Sequence, residues 1–518
     1  MNALTGRIIA AGPGRLAVAL ATYVTVLLVL RLALFPGGSD DDAEILYYTQ
    51  SWALAYKTGQ PPLYAWLIRA AEAVMGPTMG PTMGAVVGVK YVLLAAFYVF
   101  VYQAARRLFA DNLFAALTPL ALVACYFIGW ETVVNYSHTV LLLAAMAAAF
   151  WLVLRLETRS GWTDYLWIAL AIATGLLAKY NFILFLVPLL AAAWRHPGLR
   201  PRVFCLRFLA ALILAAGIAA FPLAHFLTDA DAVAGAAGAG RLFPVIDDRL
   251  AAAGQGLWQF VLATLGLVSP FLLFAFGMFP GALAPLPHPS ARLINSGRFL
   301  ETYLLVLLVV CVAAILVMGA ADVRNNWMVV WFPLPLYLLL RIKVFTDDGG
   351  AKRRLHWFTA ALLVVALAVP AGLVGRGLVG PETCRKCNFF IPYEELARSL
   401  VVAGFSAGTI VAVDRPNQIA GNLRRYFPHA RVISTRWRDY MPPLNAAGQA
   451  GKGGKCALIW SGGPSGGGEG RMLVEELRGG IPVPKQTIFR RTSHPLPRNP
   501  EKRLSWSFVV LDGEGTCR

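Results

Sequence analysis

Apolar windows of about 20 residues recur from Leu16 to Gly380 and then stop. They fall near 16–35, 84–102, 113–129, 138–154, 165–178, 180–194, 208–227, 257–279, 300–320, 327–340 and 357–380, which predicts about eleven membrane helices. The stretch 165–194 reads either as one kinked helix or as two short ones joined at Lys179, Tyr180 and Asn181. The parity of the topology turns on that junction. From Pro381 onward the pattern becomes that of a small α/β domain: helical character over Pro392–Ala403, a β-branched run Gly408–Val413, an amphipathic stretch Asn417–Phe427, and strands at Ala430–Ser434 and Ala457–Trp460. The expected fold class is therefore a polytopic α-helical membrane protein, residues 1–380, carrying a C-terminal α/β domain, residues 381–518.

Composition agrees, with 58% hydrophobic and 14% charged residues, against about 25% charged in soluble proteins. The net charge of +18 excludes little by itself, but the cations sit mostly between apolar runs or in the tail, which argues against a nucleic-acid partner. With the N-terminus inside and two helices around Lys179, seventeen Lys and Arg fall in inside segments and six in outside ones. An odd number of crossings then places the tail outside the cytoplasm. The first run ends at Phe35-Pro36-Gly37-Gly38, which offers no small-x-small cleavage site, so it reads as a retained anchor.

Cys125, Cys205 and Cys311 lie in or beside apolar runs and read as packing residues. Cys384, Cys387, Cys456 and Cys517 all fall in the tail, an even number that fits disulfides in an oxidising compartment or, less well by spacing, a zinc site. Gly462–Gly470 matches neither phosphate-loop pattern and reads as a surface loop; so do the Met-Gly-Pro-Thr repeat of Met75–Gly84 and the Ala/Gly run of Ala232–Gly240.

Chemistry concentrates in the first outside loop, residues 36–83. Ser39-Asp40-Asp41-Asp42-Ala43-Glu44 is followed by Tyr47, Tyr48, Gln50 and then Gln60-Pro61-Pro62-Leu63-Tyr64-Ala65-Trp66. Four acids within five residues repel one another, which raises their pKa values and prepares one to act as a base. If Asp41–Leu54 is helical, Asp41, Glu44 and Tyr48 share a face. Helix capping would explain one Asp and leave the others without a purpose.

Asp41-Asp42-Ala43 with Gln60-Pro61-Pro62-Leu63-Tyr64 resembles the Asp-Glu-Ala and Pro-Pro-Leu signature of protein O-mannosyltransferase-like glycosyltransferases of the C superfold, whose bacterial relatives include lipid A aminoarabinose and galacturonic acid transferases. His138-Thr139, Lys179-Tyr180 after Gly175-Leu176-Leu177, and Arg324 with Trp327 fit in order, over the first 340 or so residues. The resemblance implies a polyprenyl-phosphate-linked sugar donor, a loop carboxylate as general base at the acceptor hydroxyl, and no metal or other cofactor. Asp41 matches the family Asp and Asp42 stands where Glu is usual, so either is the base, with Glu44 beside them. Gln60 stands where some relatives carry a phosphate-binding Lys; Lys179 and Arg324 are the cations left to meet the lipid phosphate, with Tyr48 and Gln60 as polar neighbours. Lys90, inside a span, is a secondary candidate. His138 reads as a polar contact at the membrane interface, and Leu63–Val74 as a helix on which a lipid donor could slide in.

The tail holds 20 Lys and Arg against 11 Asp and Glu, so its expected partner is an anionic lipid or glycolipid acceptor such as lipid A, gathered by Arg424, Arg425, Arg431, Arg436 and Arg438, the densest group. Two other readings stand beside this one. A polytopic transporter would show repeats and charged or broken helices at mid-membrane, and a membrane scaffold would leave the acid cluster idle.

Overall fold

Leu, Val, Ala and Phe in unbroken runs satisfy the backbone only as helices once in lipid, and helices are what form. The computed structural model describes residues 13–56, 61–75, 81–228, 249–283, 290–323, 325–347, 351–383, 388–414, 418–437, 440–444, 454–462 and 467–517. Helices α1 (Pro13–Leu34), α2 (Asp40–Tyr48), α3 (Leu63–Met75), α4 (Met83–Phe109), α5 (Asn112–Val123), α6 (His138–Arg155), α7 (Trp162–Ala178), α8 (Ile183–Arg195), α9 (Leu206–Thr228), α10 (Arg249–Val268), α11 (Ala291–Met318), α12 (Pro333–Asp347) and α13 (Lys352–Thr383) follow in order. Among the described residues, seven are long and apolar enough to cross a membrane, a bent pair ending in α12 makes an eighth, and α5, α7 and α8 are shorter apolar helices. This is a polytopic helical membrane protein.

The 165–194 stretch resolves into two helices. Lys179 leaves α7 in an extended conformation, a 3-10 turn covers Tyr180–Phe182, and α8 follows. Gly175 permits the reversal, because a Cβ there would lie 2.3 Å from the Phe182 ring. The loop helix α2 stops at Tyr48, six residues short of the expected Leu54. Met83 already belongs to α4, whereas 76–80 and the Ala/Gly run lie outside the described residues.

The chain forms two compact units: Met1–Leu27, Gly59–Tyr64 and Lys90–Ala371 make the first, and Leu28–Thr58, Ala65–Val89 and Gly372–Arg518 the second. The second unit thus joins the acid loop to the tail, a grouping that the division at residue 380 does not follow. Its core is a five-stranded sheet of β1 (Gly408–Val413), β2 (Arg431–Ser434), β3 (Lys455–Ser461), β4 (Arg490–Leu496) and β5 (Asn499–Asp512), in the order β2-β1-β3-β5-β4. β2, β1 and β3 run parallel, and β5 and β4 add antiparallel strands. Helices α14 (Tyr393–Val402), α15 (Ile419–Arg424) and α16 (Gly467–Leu477) accompany it. The parallel strands are buried along most of their length, which is why β1 reads Ile-Val-Ala without alternation. Residues 463–466 of the Gly-rich stretch lie outside the described residues, and its end opens α16.

Candidate active site

In the second unit, Ser39 caps α2: its hydroxyl accepts from the Asp42 amide at 3.1 Å, and Asp42 Oδ2 accepts from the Ser39 amide at 2.9 Å. The same Oδ2 accepts from Arg31 Nη2 at 3.1 Å. Arg31 also donates to the carbonyls of Phe35 (3.0 Å) and Gly37 (2.9 Å) and lies over the rings of Phe389 (4.8 Å) and Phe35 (5.3 Å). Arg31 and Asp42 are both buried. Asp40 is exposed and accepts from the Asn388 amide; Asp41 and Glu44 are half-buried. The acid cluster therefore separates into one carboxylate committed to a cap and an ion pair, and others nearer to solvent.

The tail holds α2 by close backbone packing. A Cβ on Gly421 would lie 1.9 Å from the Ala43 carbonyl oxygen, so only glycine lets α15 lie against α2. Gln50, just past α2, pairs like a strand residue with β2, donating to the Val432 carbonyl (3.0 Å) and accepting its amide (2.8 Å). Tyr48 is fully buried, its ring 4.7 Å from that of Tyr56 and 5.6 Å from that of Tyr440. Tyr47 donates to the Tyr440 carbonyl at 2.7 Å.

Arg424 corrects the expectation for the basic group. It is buried, not a surface cation: it donates to the Leu46 carbonyl at 2.5 Å, to the Thr49 hydroxyl and to the Thr49 carbonyl at 3.2 Å, and faces Glu72 at 3.6 Å. Burial pushes the Glu72 carboxyl above its ordinary range against the pull of Arg424. Arg425 donates to the Pro36 carbonyl (2.8 Å), Arg431 to the Pro442 carbonyl (2.8 Å), and Arg436 lies over Trp437. Arg438 lies outside the described residues. A residue that composition hid is Asp414 at the end of β1: buried, accepting from Ser434 (2.5 Å) and from the Ala420 amide (2.9 Å), with burial raising its pKa to about 6.

Of the tail cysteines, Cys456 is disulfide-bonded; Cys384, Cys387 and the side chain of Cys517 lie outside the described residues. Cys125, Cys205 and Cys311 are free thiols.

In the first unit, Lys179 Nζ donates to Thr139 Oγ1 at 2.9 Å, so the break after α7 meets the start of α6. His138, next to Thr139, packs its ring against Tyr64, with centroids 5.1 Å apart. Three sequence matches that lie far apart in the chain are thus brought together. Lys90 is buried within α4. Gln60 and Arg324 lie outside the described residues.

The dolichyl-phosphate-mannose-protein mannosyltransferase family matches residues 59–225, the block that holds Tyr64, His138 and Lys179. The lipopolysaccharide core galacturonosyltransferase RgtA of Rhizobium johnstonii is 28% identical over 462 residues, 86% of this chain and 86% of its own length. RgtB of the same organism is 28% identical over 430 residues, 82% and 84% of the two chains. The crystal structure of ArnT from Cupriavidus metallidurans, bound to undecaprenyl phosphate, superposes with a TM-score of 0.56 over 96% of this chain and 98% of that one, at 13% identity. The chain is a membrane glycosyltransferase with the fold of ArnT. The transporter and scaffold readings fall with that assignment, and the broken α7–α8 element belongs to a transferase.

Proposed function

We propose that this C-superfold glycosyltransferase moves a sugar from a polyprenyl-phosphate donor to an envelope acceptor, a glycolipid such as lipid A or a protein, at the periplasmic face of the bacterial inner membrane. Eleven crossings and a periplasmic tail domain, residues 381–518, belong to the same proposal. Asp41 removes the proton of the acceptor hydroxyl, the oxygen bonds to the anomeric carbon, and the bond from that carbon to the phosphate oxygen breaks with inversion. Lys179 and Arg324 meet the departing lipid phosphate, with Gln60 in support.

The observation that carries the choice of base is the Arg31–Asp42 ion pair. A buried carboxylate whose oxygen is taken up by a buried guanidinium and by the helix cap is out of reach of an acceptor. Asp41 is its immediate neighbour, on the same first turn, and partly open to solvent. The family match, the relatives named for transfer to the lipopolysaccharide core, and the ArnT complex with undecaprenyl phosphate support the donor and acceptor classes. The test is sugar transfer from a radiolabelled polyprenyl-phosphate donor by the purified protein. Asp41→Asn should lower turnover by about 10² or more with expression unchanged, and wild-type rates in that variant would remove Asp41 from the role.

A further inference from the structure

Two side chains in the first unit are anomalous for their surroundings. His138 is 4% exposed, yet neither ring nitrogen has a hydrogen-bond partner. Asn181, in the break two residues after Lys179, has neither amide atom paired. A buried polar group left unpaired is costly, and native structures keep few of them. These two flank one junction. Lys179 reaches across to Thr139, next to His138, and lies close enough to act electrostatically on the imidazole.

The unused groups define what would pair with them. A neutral imidazole offers one N–H and one lone pair, and an Asn amide offers two N–H groups and a carbonyl oxygen. A phosphate presents acceptors alone, so it would leave the imidazole lone pair and the amide oxygen unpaired. Hydroxyls both donate and accept, and several on one ring satisfy both side chains. Tyr64 packs its ring against the imidazole at an interplanar angle of 48°. An aromatic face beside the imidazole suits the C–H face of a sugar ring.

We infer that His138 and Asn181 hold the hydroxyls of the donor sugar, beside the Lys179 that takes its phosphate. This assignment rests on the polyprenyl-phosphate donor proposed above. It gives the α7–α8 break a role in sugar recognition that the base and the cations do not fill.

The test compares the binding of two lipids to the full-length protein in nanodiscs: bare undecaprenyl phosphate, and undecaprenyl phosphate carrying galacturonic acid. The wild type should bind the sugar-linked lipid at least tenfold more tightly. His138→Phe and Asn181→Leu should each erase about tenfold of that preference, equivalent to about 1.4 kcal/mol, and still bind the bare lipid as the wild type does. His138→Gln, which restores one donor and one acceptor, should recover part of it. Bare-lipid binding also reports that each variant is folded. Equal loss for both lipids, or no change for either, overturns the assignment, as does a wild type with no preference for the sugar-linked form. A wild type that binds neither lipid and transfers no sugar defeats the donor reading itself, and this inference with it.

Discussion

Arg31 Nη2 and Asp42 Oδ2 lie 3.1 Å apart with both side chains withdrawn from solvent. Arg31 belongs to the last turn of α1 and Asp42 to the first turn of α2, so this pair fixes where the acid helix begins relative to the end of the membrane helix. The consequence is a division of labour between adjacent carboxylates. Asp42→Asn should lower stability by about 3–5 kcal/mol, because it leaves a buried guanidinium without its counter-charge, whereas Asp41→Asn should leave the unfolding temperature unchanged and reduce transfer. Thermal unfolding beside transfer rates separates the two, and the reverse pattern would exchange the roles.

Gly421 should be as sensitive as the acids, although it carries no chemistry. A methyl group at this position meets the Ala43 backbone at 1.9 Å, and overpacking of that kind costs about 1–3 kcal/mol. Gly421→Ala should therefore loosen α2 from the tail and expose the loop to limited proteolysis. Protection equal to that of the wild type would show that α2 does not depend on α15.

The five arginines of the tail should not behave alike. Arg424→Gln removes the buried partner of Glu72 and the donor to Leu46 and Thr49, so stability should fall by about 3–5 kcal/mol. Arg436→Gln loses a ring contact and an exposed charge that acts on Asp414, and should cost less than about 1 kcal/mol. Equal effects in urea unfolding would contradict the burial difference. Salt-sensitive binding to anionic vesicles should then be sought in Arg436→Gln, where the fold is intact.

Asp414 makes the tail sensitive to pH with a definite sign. Its folded pKa of about 6 lies above the ordinary 3.8, so its contribution is fully present below about pH 4 and is lost as pH rises through 6, on the order of 3 kcal/mol in total. Hydrogen exchange of β1 should speed up over that window in the full-length protein and flatten in Asp414→Asn. A profile that does not change on substitution would assign the dependence elsewhere.

Sidedness is open to a direct test. A reporter fused after Arg518 should behave as periplasmic, and Cys456, disulfide-bonded and buried, should react with a thiol probe in denaturant only after reduction. Cytoplasmic reporter activity would overturn the orientation.

The loop helix and the α7–α8 junction were legible in sequence because their local signals are strong. The loop helix expected from Asp41 begins one residue earlier, at Asp40, behind a Ser39 cap. Lys179-Tyr180-Asn181 marked a junction, and α7 ends there. The density of acids in Asp40–Glu44 singled out the loop but could not rank its members. Arg31, inside the first apolar run, was not singled out, and Arg424 looked like part of a charge cluster. Both turn out to be buried partners of carboxylates, Asp42 in the next helix and Glu72 far along the chain. His138 was readable as a polar contact, yet its lack of a partner is a property of its surroundings alone.

Sequence by itself determined the helical membrane block, the α/β character of the tail and the loop that carries the acids, because hydrophobic period, capping and charge density are local quantities. Tertiary structure decided which carboxylate is held by an ion pair, that α2 packs against α15 through Gly421, and that His138, Thr139, Lys179 and Tyr64 meet. Those outcomes depend on burial and on distances between segments far apart in the chain, and neither exists until the chain has folded.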